Sequence, residues 1–349
     1  MKRYRVAVVG TGGIARTHAQ GWQSTKRCDL VAGVDIRPES AAKFAQEFSV
    51  PSTYGDVNEM LSKEKPDIVS ICTWHGTHPT FTVAAANAGV LAILCEKPMA
   101  VNLGDADAML EAVAKSGSKL AIGHHHRFSA RNTEARRIIA SGAIGKPHLL
   151  RLCTGGGLTN NGTHAIDRAR YLLGDPKAEW VIGQVERRTD RYERLEPIED
   201  SCAGLVAFEG GTRLVIESDL PDGGLNDKAA GFTTLQVYGT EGTLAVGGGL
   251  YLLNAASNGW QSLDAPPDTN QFEEMLGWIE GKNAHRNEGT TARATVELMM
   301  AIYESARIRG RVSLPLTTMR SPLVMMIEDG SLRVEKEGRY DIRVPNWQG

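Results

Sequence analysis

Over the first 120 residues, apolar positions fall in short continuous runs, each closed by a polar or glycine-rich turn. A stretch of helical period then follows. Arg5-Val6-Ala7-Val8-Val9 is the first run, and residues 14–23 follow it as a helix. Asp29-Leu30-Val31-Ala32-Gly33-Val34 is the second, with a helix expected over 38–48, a short extended Ser52-Thr53-Tyr54 and a helix over 57–62. Asp67-Ile68-Val69-Ser70-Ile71-Cys72 and Leu91-Ala92-Ile93-Leu94-Cys95 continue the series, separated by a helix over 80–88. Short apolar runs bounded by turns read as buried strands. Strands alternating with helices imply a parallel sheet, with ligands bound beyond the strand carboxyl ends.

From Leu149 the pattern changes. Residues 149–153, 180–186, 204–208 and 212–218 are β-rich. Phe272, Met275, Leu276 and Ile279 then recur at helical spacing, and a second amphipathic helix is expected over 291–308. The expected organisation is an α/β domain over 1–122 and an α+β domain over 123–349. Residues 317–349 form an extension that caps a sheet edge or meets a neighbouring subunit.

Composition narrows the partners. The chain has 349 residues, 42% hydrophobic and 23% charged, with 39 basic against 41 acidic side chains and a net charge of −2. That balance, without a Lys/Arg block, argues against a nucleic-acid partner. Five scattered cysteines with no Cys-x-x-Cys pair argue against a disulfide framework and point to a reducing cytoplasm. The apolar run before Gly10 is too short for a signal peptide, and nothing approaches the ~18 apolar residues of a membrane span.

Two turns carry chemistry. Gly10-Thr11-Gly12-Gly13-Ile14-Ala15 joins a strand to a helix, the context of a dinucleotide fingerprint. There Gly10 makes the tight turn, Gly12 admits a pyrophosphate, and the helix start supplies N–H groups to phosphate. Asp35 closes the second strand where an acid grips ribose hydroxyls, with Ile36 and Arg37 following. Its charge favours NAD over NADP, a preference Arg37 softens. The Leu91–Cys95 run ends abruptly in Glu96-Lys97-Pro98, so a strand delivers a charge to the edge where ligands bind.

Gly10–Ala15, Asp35 and Glu96-Lys97-Pro98 together resemble the glucose–fructose oxidoreductase / inositol dehydrogenase / MocA family of sugar and polyol dehydrogenases. The resemblance covers about residues 4–315. It includes Arg127-Phe128, residues 138–147, Gly155-Gly156-Gly157, Gly162-Thr163-His164-Ala165-Ile166-Asp167, Glu199-Asp200, residues 238–242 and Tyr303-Glu304-Ser305-Ala306. It implies a Rossmann domain followed by a large, open, mostly antiparallel sheet with helices on one face. It also implies a homodimer or homotetramer formed through that sheet. The turn Thr73-Trp74-His75, with His78, would pass the cofactor beside Glu96 and Lys97.

The implied reaction moves a hydride from a ring hydroxyl of a sugar, sugar derivative or cyclitol to nicotinamide. His164 suits the base, because imidazole titrates near the operating pH. Lys97 suits the cation at the developing alkoxide. The family commonly has Asp one helical turn before this His; here Asn160 stands there, able to hydrogen-bond a substrate hydroxyl but not to carry a proton. An Asn at this place also occurs in family members that oxidise the 3-hydroxyl of a pyranose, so the resemblance tilts toward a sugar oxidised at a ring carbon rather than a free polyol. Asp167 is read as a surface acid, a support for His164 or a substrate contact, and Arg127 as a substrate contact or a structural ion pair.

His124-His125-His126 raises a metal reading. On a strand only His124 and His126 share a face, and no third ligand has zinc-like spacing, so no metal is expected and one or two of these side chains would line the substrate cleft. An NAD-dependent glycoside hydrolase working through a transient keto-sugar with no net NADH fits the same motifs, whereas Lys97 and His164 argue against a non-catalytic NAD-binding protein.

Overall fold

A computed structural model describes residues 2–219 and 235–343. The chain divides into two compact units, Met1–His124 with Asn270–Arg293, and His125–Thr269 with Ala294–Gly349.

In the first unit β1 (Tyr4–Val9), α1 (Gly13–Ser24), β2 (Cys28–Val34), α2 (Pro38–Phe48), β3 (Ser52–Tyr54), α3 (Val57–Glu64), β4 (Ile68–Ile71), α4 (His78–Asn87), β5 (Ala92–Cys95), α5 (Leu103–Ser116) and β6 (Lys119–Ile122) follow in order. The six strands form one sheet in the order β3-β2-β1-β4-β5-β6, parallel at every pairing. β1, β4 and β5 are buried along nearly their whole length, as expected of strands with helices on both faces. All elements read from the apolar runs are present within a few residues. α5 and β6 extend the series beyond them. The Asn102 side chain accepts the Asp105 N–H at 2.8 Å to open α5, and Gly117 closes it at a φ of +78°.

One helix lies elsewhere than expected. Gln271–Ile279, assigned from its spacing to the second domain, belongs to the first unit. Phe272, Met275 and Leu276 are buried in the cluster that holds Tyr4, Val6, Ala19 and Trp22. Phe272 stands edge-on to Trp22 at 4.8 Å. It presses so close to Gly21 that a Cβ there would overlap its ring. Helical period tells which face is buried but not against what, so sequence order alone put this helix in the wrong unit.

The second unit contains α6 (Ala130–Ala140), β7 (Pro147–Thr154), α7 (Thr163–Leu172), β8 (Ala178–Glu186), β9 (Thr189–Glu193), β10 (Glu196–Pro197), β11 (Ser201–Phe208), β12 (Arg213–Ser218), β13 (Leu235–Gly239), β14 (Gly242–Val246), β15 (Leu250–Asn254), β16 (Gln261–Ser262), β17 (Val312–Ser313) and β18 (Lys336–Asp341). Nine strands form a sheet in the order β16-β15-β14-β13-β7-β12-β11-β8-β17. Only the β7–β12 pairing is parallel among those described.

Helix Gly289–Ile308 covers one face of this sheet. Its Ile302 fits over Gly183 and Gly204, which pair across β8 and β11. On the opposite face Ile182, Leu205 and Val215 form a row, with Ile182 45% exposed. Within the C-terminal extension β18 pairs with β9 in a small three-stranded sheet, while residues 344–349 lie outside the described residues. Among the described residues no helix is long and apolar enough to cross a membrane.

Candidate active site

The first unit builds a cradle at the carboxyl end of its sheet. Gly10 turns out of β1 with φ at +83°, and a Cβ there would lie 2.8 Å from the Cys72 backbone, so only glycine fits. Gly12 caps α1, and among the described residues no side chain satisfies its first N–H groups. A Cβ built on Gly12 or Gly13 meets no described atom within 4 Å. Open space over uncapped N–H groups at the positive end of a helix fits a pyrophosphate. Ile14, at the start of the helix, is 40% exposed.

Asp35 is anchored from three sides. Its Oδ2 accepts the Thr11 N–H at 3.0 Å and the Thr11 hydroxyl at 2.9 Å, and its Oδ1 accepts the Arg37 N–H at 3.0 Å. Burial pushes this carboxyl up, but those bonds and the Arg37 guanidinium, 3.5 Å away, hold it below the usual range. It is a fixed anion. Ile36 beside it is 88% exposed.

The burial of Glu96 explains the abrupt end of β5. His18 Nε2 meets Glu96 Oε1 at 3.0 Å, while His18 Nδ1 lies 3.2 Å from the Ser70 hydroxyl, which accepts the Trp22 indole N–H at 2.7 Å. One proton placement satisfies every member: Trp22 donates to Ser70, Ser70 to Nδ1, and Nε2–H to the carboxylate. The other Glu96 oxygen accepts the Lys97 N–H at 3.2 Å. Burial raises the Glu96 pKa, but the His18 bond and the charges around it more than offset this and hold it low. Lys97, half-buried, is thus fixed at its backbone.

His75 and His78, expected against the cofactor, are both buried. The His78 ring lies between the Pro98 and Thr73 carbonyls at 2.8 and 3.1 Å, tying the Thr73 turn to the Lys97–Pro98 turn. Burial lowers its pKa to about 4. Its position is that of a brace. Thr73 is half-buried and Trp74, 44% exposed, is the accessible part of this turn.

In the second unit two acids shape the glycine turn after β7. Asp219 accepts the Gly156 and Gly157 N–H groups at 2.8 Å. Buried Glu199 accepts the Leu158 N–H and the Tyr303 hydroxyl, each at 2.6 Å. Burial raises the pKa of Glu199 and carries that of Tyr303 well above the ordinary phenol value. The chain then makes a π turn over Leu158–Gly162 before α7 begins. The sequence spacing puts Asn160 and His164 one helical turn apart, and the backbone between them runs from the π turn directly into α7. Asn160 is buried, and its Nδ2 donates back to the Gly156 carbonyl at 3.1 Å.

Arg127 and Asp167, each read as a substrate contact or a structural group, are buried against each other. Arg127 Nε and Nη2 donate to the two Asp167 oxygens at 2.8 Å, and Nη1 and Nη2 to Asp175 at 2.8 and 2.7 Å. Thr295 adds a bond to Asp167 at 3.3 Å. Burial works against the Arg127 charge, but the two carboxylates more than offset it and push its pKa up. This fork-to-fork pair joins the turn His125–Phe128 to α7, one turn beyond His164.

That link brings three histidines together. β6 ends at Ile122, and residues 125–128 form a 3₁₀ turn, so the strand geometry assumed for His124-His125-His126 does not apply. The His125 and His126 rings are 4.4 Å apart, and each lies 4.8 Å from that of His164. The third ligand that sequence spacing does not offer is supplied in the fold by α7: these three residues place their ring nitrogens within 4.8 Å of one another.

Sequence reasoning missed His18, Ser70, Asp175 and Asp219. A buried-strand serine and a helix histidine signal little by themselves, whereas Glu199 and Tyr303 already stood in matching motifs without a role.

Comparison with known proteins agrees with this architecture. A D-apiose dehydrogenase of Paraburkholderia graminis is 27% identical, over 95% of this chain and 96% of its own. A D-glucoside 3-dehydrogenase of Escherichia coli is also 27% identical, over 89% and 97%. The crystal structure of the WlbA dehydrogenase from Bordetella pertussis superposes with a TM-score of 0.75 at 22% identity, over 90% of this chain and all of that one, and shows the same fold. Residues 4–124 match the profile described as an oxidoreductase family with an NAD-binding Rossmann fold, and residues 132–245 match that family's C-terminal domain. The chain belongs to the GFO/IDH/MocA family of NAD-binding oxidoreductases.

Proposed function

We propose that this enzyme oxidises a ring hydroxyl of a sugar, sugar derivative or cyclitol, with the 3-hydroxyl of a pyranose as the first position to test. The near-full-length likeness to a D-glucoside 3-dehydrogenase supports the substrate class. The observation that carries the chemistry is the buried His18–Glu96 pair, which fixes the Lys97 backbone at the carboxyl end of β5. NAD, when bound over Gly12 and beside Asp35, supplies the hydride acceptor. The Lys97 ammonium offsets negative charge growing on the substrate oxygen, and His164 takes the hydroxyl proton.

Arg127 and Asp167 act by holding the turn that carries His125 and His126 against α7, and Asn160 by holding the glycine turn ahead of His164. Trp74, Ile14 and Ile36 offer apolar surface to the cofactor. The five cysteines are buried thiols, which fits a reducing cytoplasm. The half-exposed row Ile182, Leu205, Val215 supports a homodimer or homotetramer joined through that face; sedimentation as a monomer at micromolar concentration contradicts it.

Incubation with NAD and a panel of free sugars, glycosides and inositols, followed at 340 nm, tests the reaction. Stoichiometric NADH with a keto-sugar product is expected. Aglycone release without net NADH, or no turnover on any member, contradicts the proposal.

A further inference from the structure

The three histidines of the second unit exceed what proton abstraction requires. One imidazole suffices for a base, yet His125 and His126 stand against His164 in a nearly equilateral triangle, with ring centroids 4.4, 4.8 and 4.8 Å apart. We propose that His125, His126 and His164 form a three-imidazole site for one borderline divalent cation of the zinc–cobalt class, and that filling it withdraws the His164 nitrogen from catalysis.

The chemistry of the donors selects the ion. Three neutral nitrogens suit zinc, cobalt or nickel and disfavour the hard cations magnesium and calcium, which take oxygen. Three protein ligands also leave a coordination position open, the arrangement of exchangeable rather than closed structural sites. An ion about 2.1 Å from each nitrogen sets tetrahedral donors roughly 3.4 Å apart. The observed nitrogens, within 4.8 Å of one another, close to that spacing by a small swing of the rings. His125 is exposed and His126 and His164 are half-buried, so the triangle is reachable from solvent.

The backbones beneath these rings are already held. The His126 carbonyl accepts the Asn132 amide at 2.8 Å and the Ser129 N–H at 3.2 Å. The Arg127–Asp167 pair locks the same turn to α7. Glu199 and Asp219 fix the turn that leads into His164. Donors on anchored backbones lose little freedom when an ion draws them together.

Binding and its consequence are read separately, because the second rests on the role proposed for His164 and the first does not. The full-length protein, dialysed against a chelator, is titrated with Co²⁺ in the visible and with Zn²⁺ by calorimetry, alongside His125→Ala and His126→Ala. His125 is exposed, so its replacement leaves the fold intact. One equivalent should bind to the unsubstituted protein with a nitrogen-ligand Co²⁺ spectrum. Loss of an outer partner of a metal ligand already costs ~10–100-fold in affinity, so each variant should lose at least ~10-fold. No stoichiometric binding, or binding unchanged in both variants, overturns the site. Zn²⁺ should also suppress hydride transfer, with recovery on adding chelator. Full activity at saturating Zn²⁺ with one bound equivalent overturns the inhibition, and with it the assignment of His164 as base, while leaving the site itself supported.

Discussion

Asp35→Ala should remove the preference for NAD over NADP. The carboxylate is fixed by three hydrogen bonds, two from Thr11 and one from the Arg37 N–H, and its side chain is only 9% exposed. It therefore has little freedom to swing from a 2′-phosphate carried by NADP. At ~4 Å a pair of unit charges interacts by about 1 kcal/mol in water and about 4 kcal/mol at the effective dielectric of a protein surface. The repulsion is thus worth roughly five- to a thousandfold in relative affinity. A hydrogen bond from a ribose hydroxyl to the charged oxygen adds ~1.5–3 kcal/mol on the NAD side. In the variant NAD should bind more weakly and NADP more tightly, with Arg37, no longer facing an anion, free to meet the phosphate. Fluorescence titration of both cofactors against both proteins measures the ratio. A thermal melt checks that the Thr11 and Arg37 N–H groups, left without their acceptor, have not unfolded the loop. An unchanged ratio in a folded variant refutes the role of Asp35.

Two further outcomes follow from buried groups. His285 donates from Nε2 to the Gln271 carbonyl at 3.1 Å and accepts the Asn287 N–H at Nδ1, 3.2 Å away, and burial lowers its pKa to about 4. As the pH falls below the unfolded value near 6.5, the unfolded chain takes up this proton first. Stability is therefore full above about 6.5 and lost progressively towards 4, by about 2 kcal/mol at pH 5. Urea unfolding at pH 7.5 and 5 should show that loss, and His285→Gln should reduce it; an equal loss in the variant contradicts the assignment. Asp167→Asn leaves Arg127 with one carboxylate and should cost about 3 kcal/mol or more of stability. It should also slow hydride transfer while leaving NAD affinity within a few-fold; tighter packing of the fold with unchanged turnover would show that the clamp positions nothing.

The apolar runs made the first unit legible almost strand by strand, because a buried parallel strand has a continuous signature that needs no partner to be read. The glycines, Asp35 and Lys97 were equally legible, since their backbone turns are local. What escaped was set by contacts distant in sequence. Helix Gln271–Ile279 packs against Trp22, some 250 residues earlier, and nothing in its period names that partner. The histidine triplet was read on an extended strand, whereas a 3₁₀ turn and an ion pair 40 residues apart bring it to His164. For Arg127 the sequence leaves a substrate contact and a structural ion pair open, and for Asp167 a surface acid, a support for His164 and a substrate contact. Burial alone distinguishes a clamp from a ligand contact, and burial is a property of the fold.

The account rests on a strand that delivers a cation to the reacting oxygen, and Lys97→Met tests it most directly. The substitution keeps the length and apolar stem and leaves the Glu96 contact to the backbone N–H in place. Single-turnover hydride transfer should fall by ~10²-fold or more, the scale for one aligned electrostatic donor, while NAD affinity stays within a few-fold. Hydride transfer at the unsubstituted rate in Lys97→Met would mean that β5 merely reaches the surface at Glu96-Lys97-Pro98, and would contradict the mechanism.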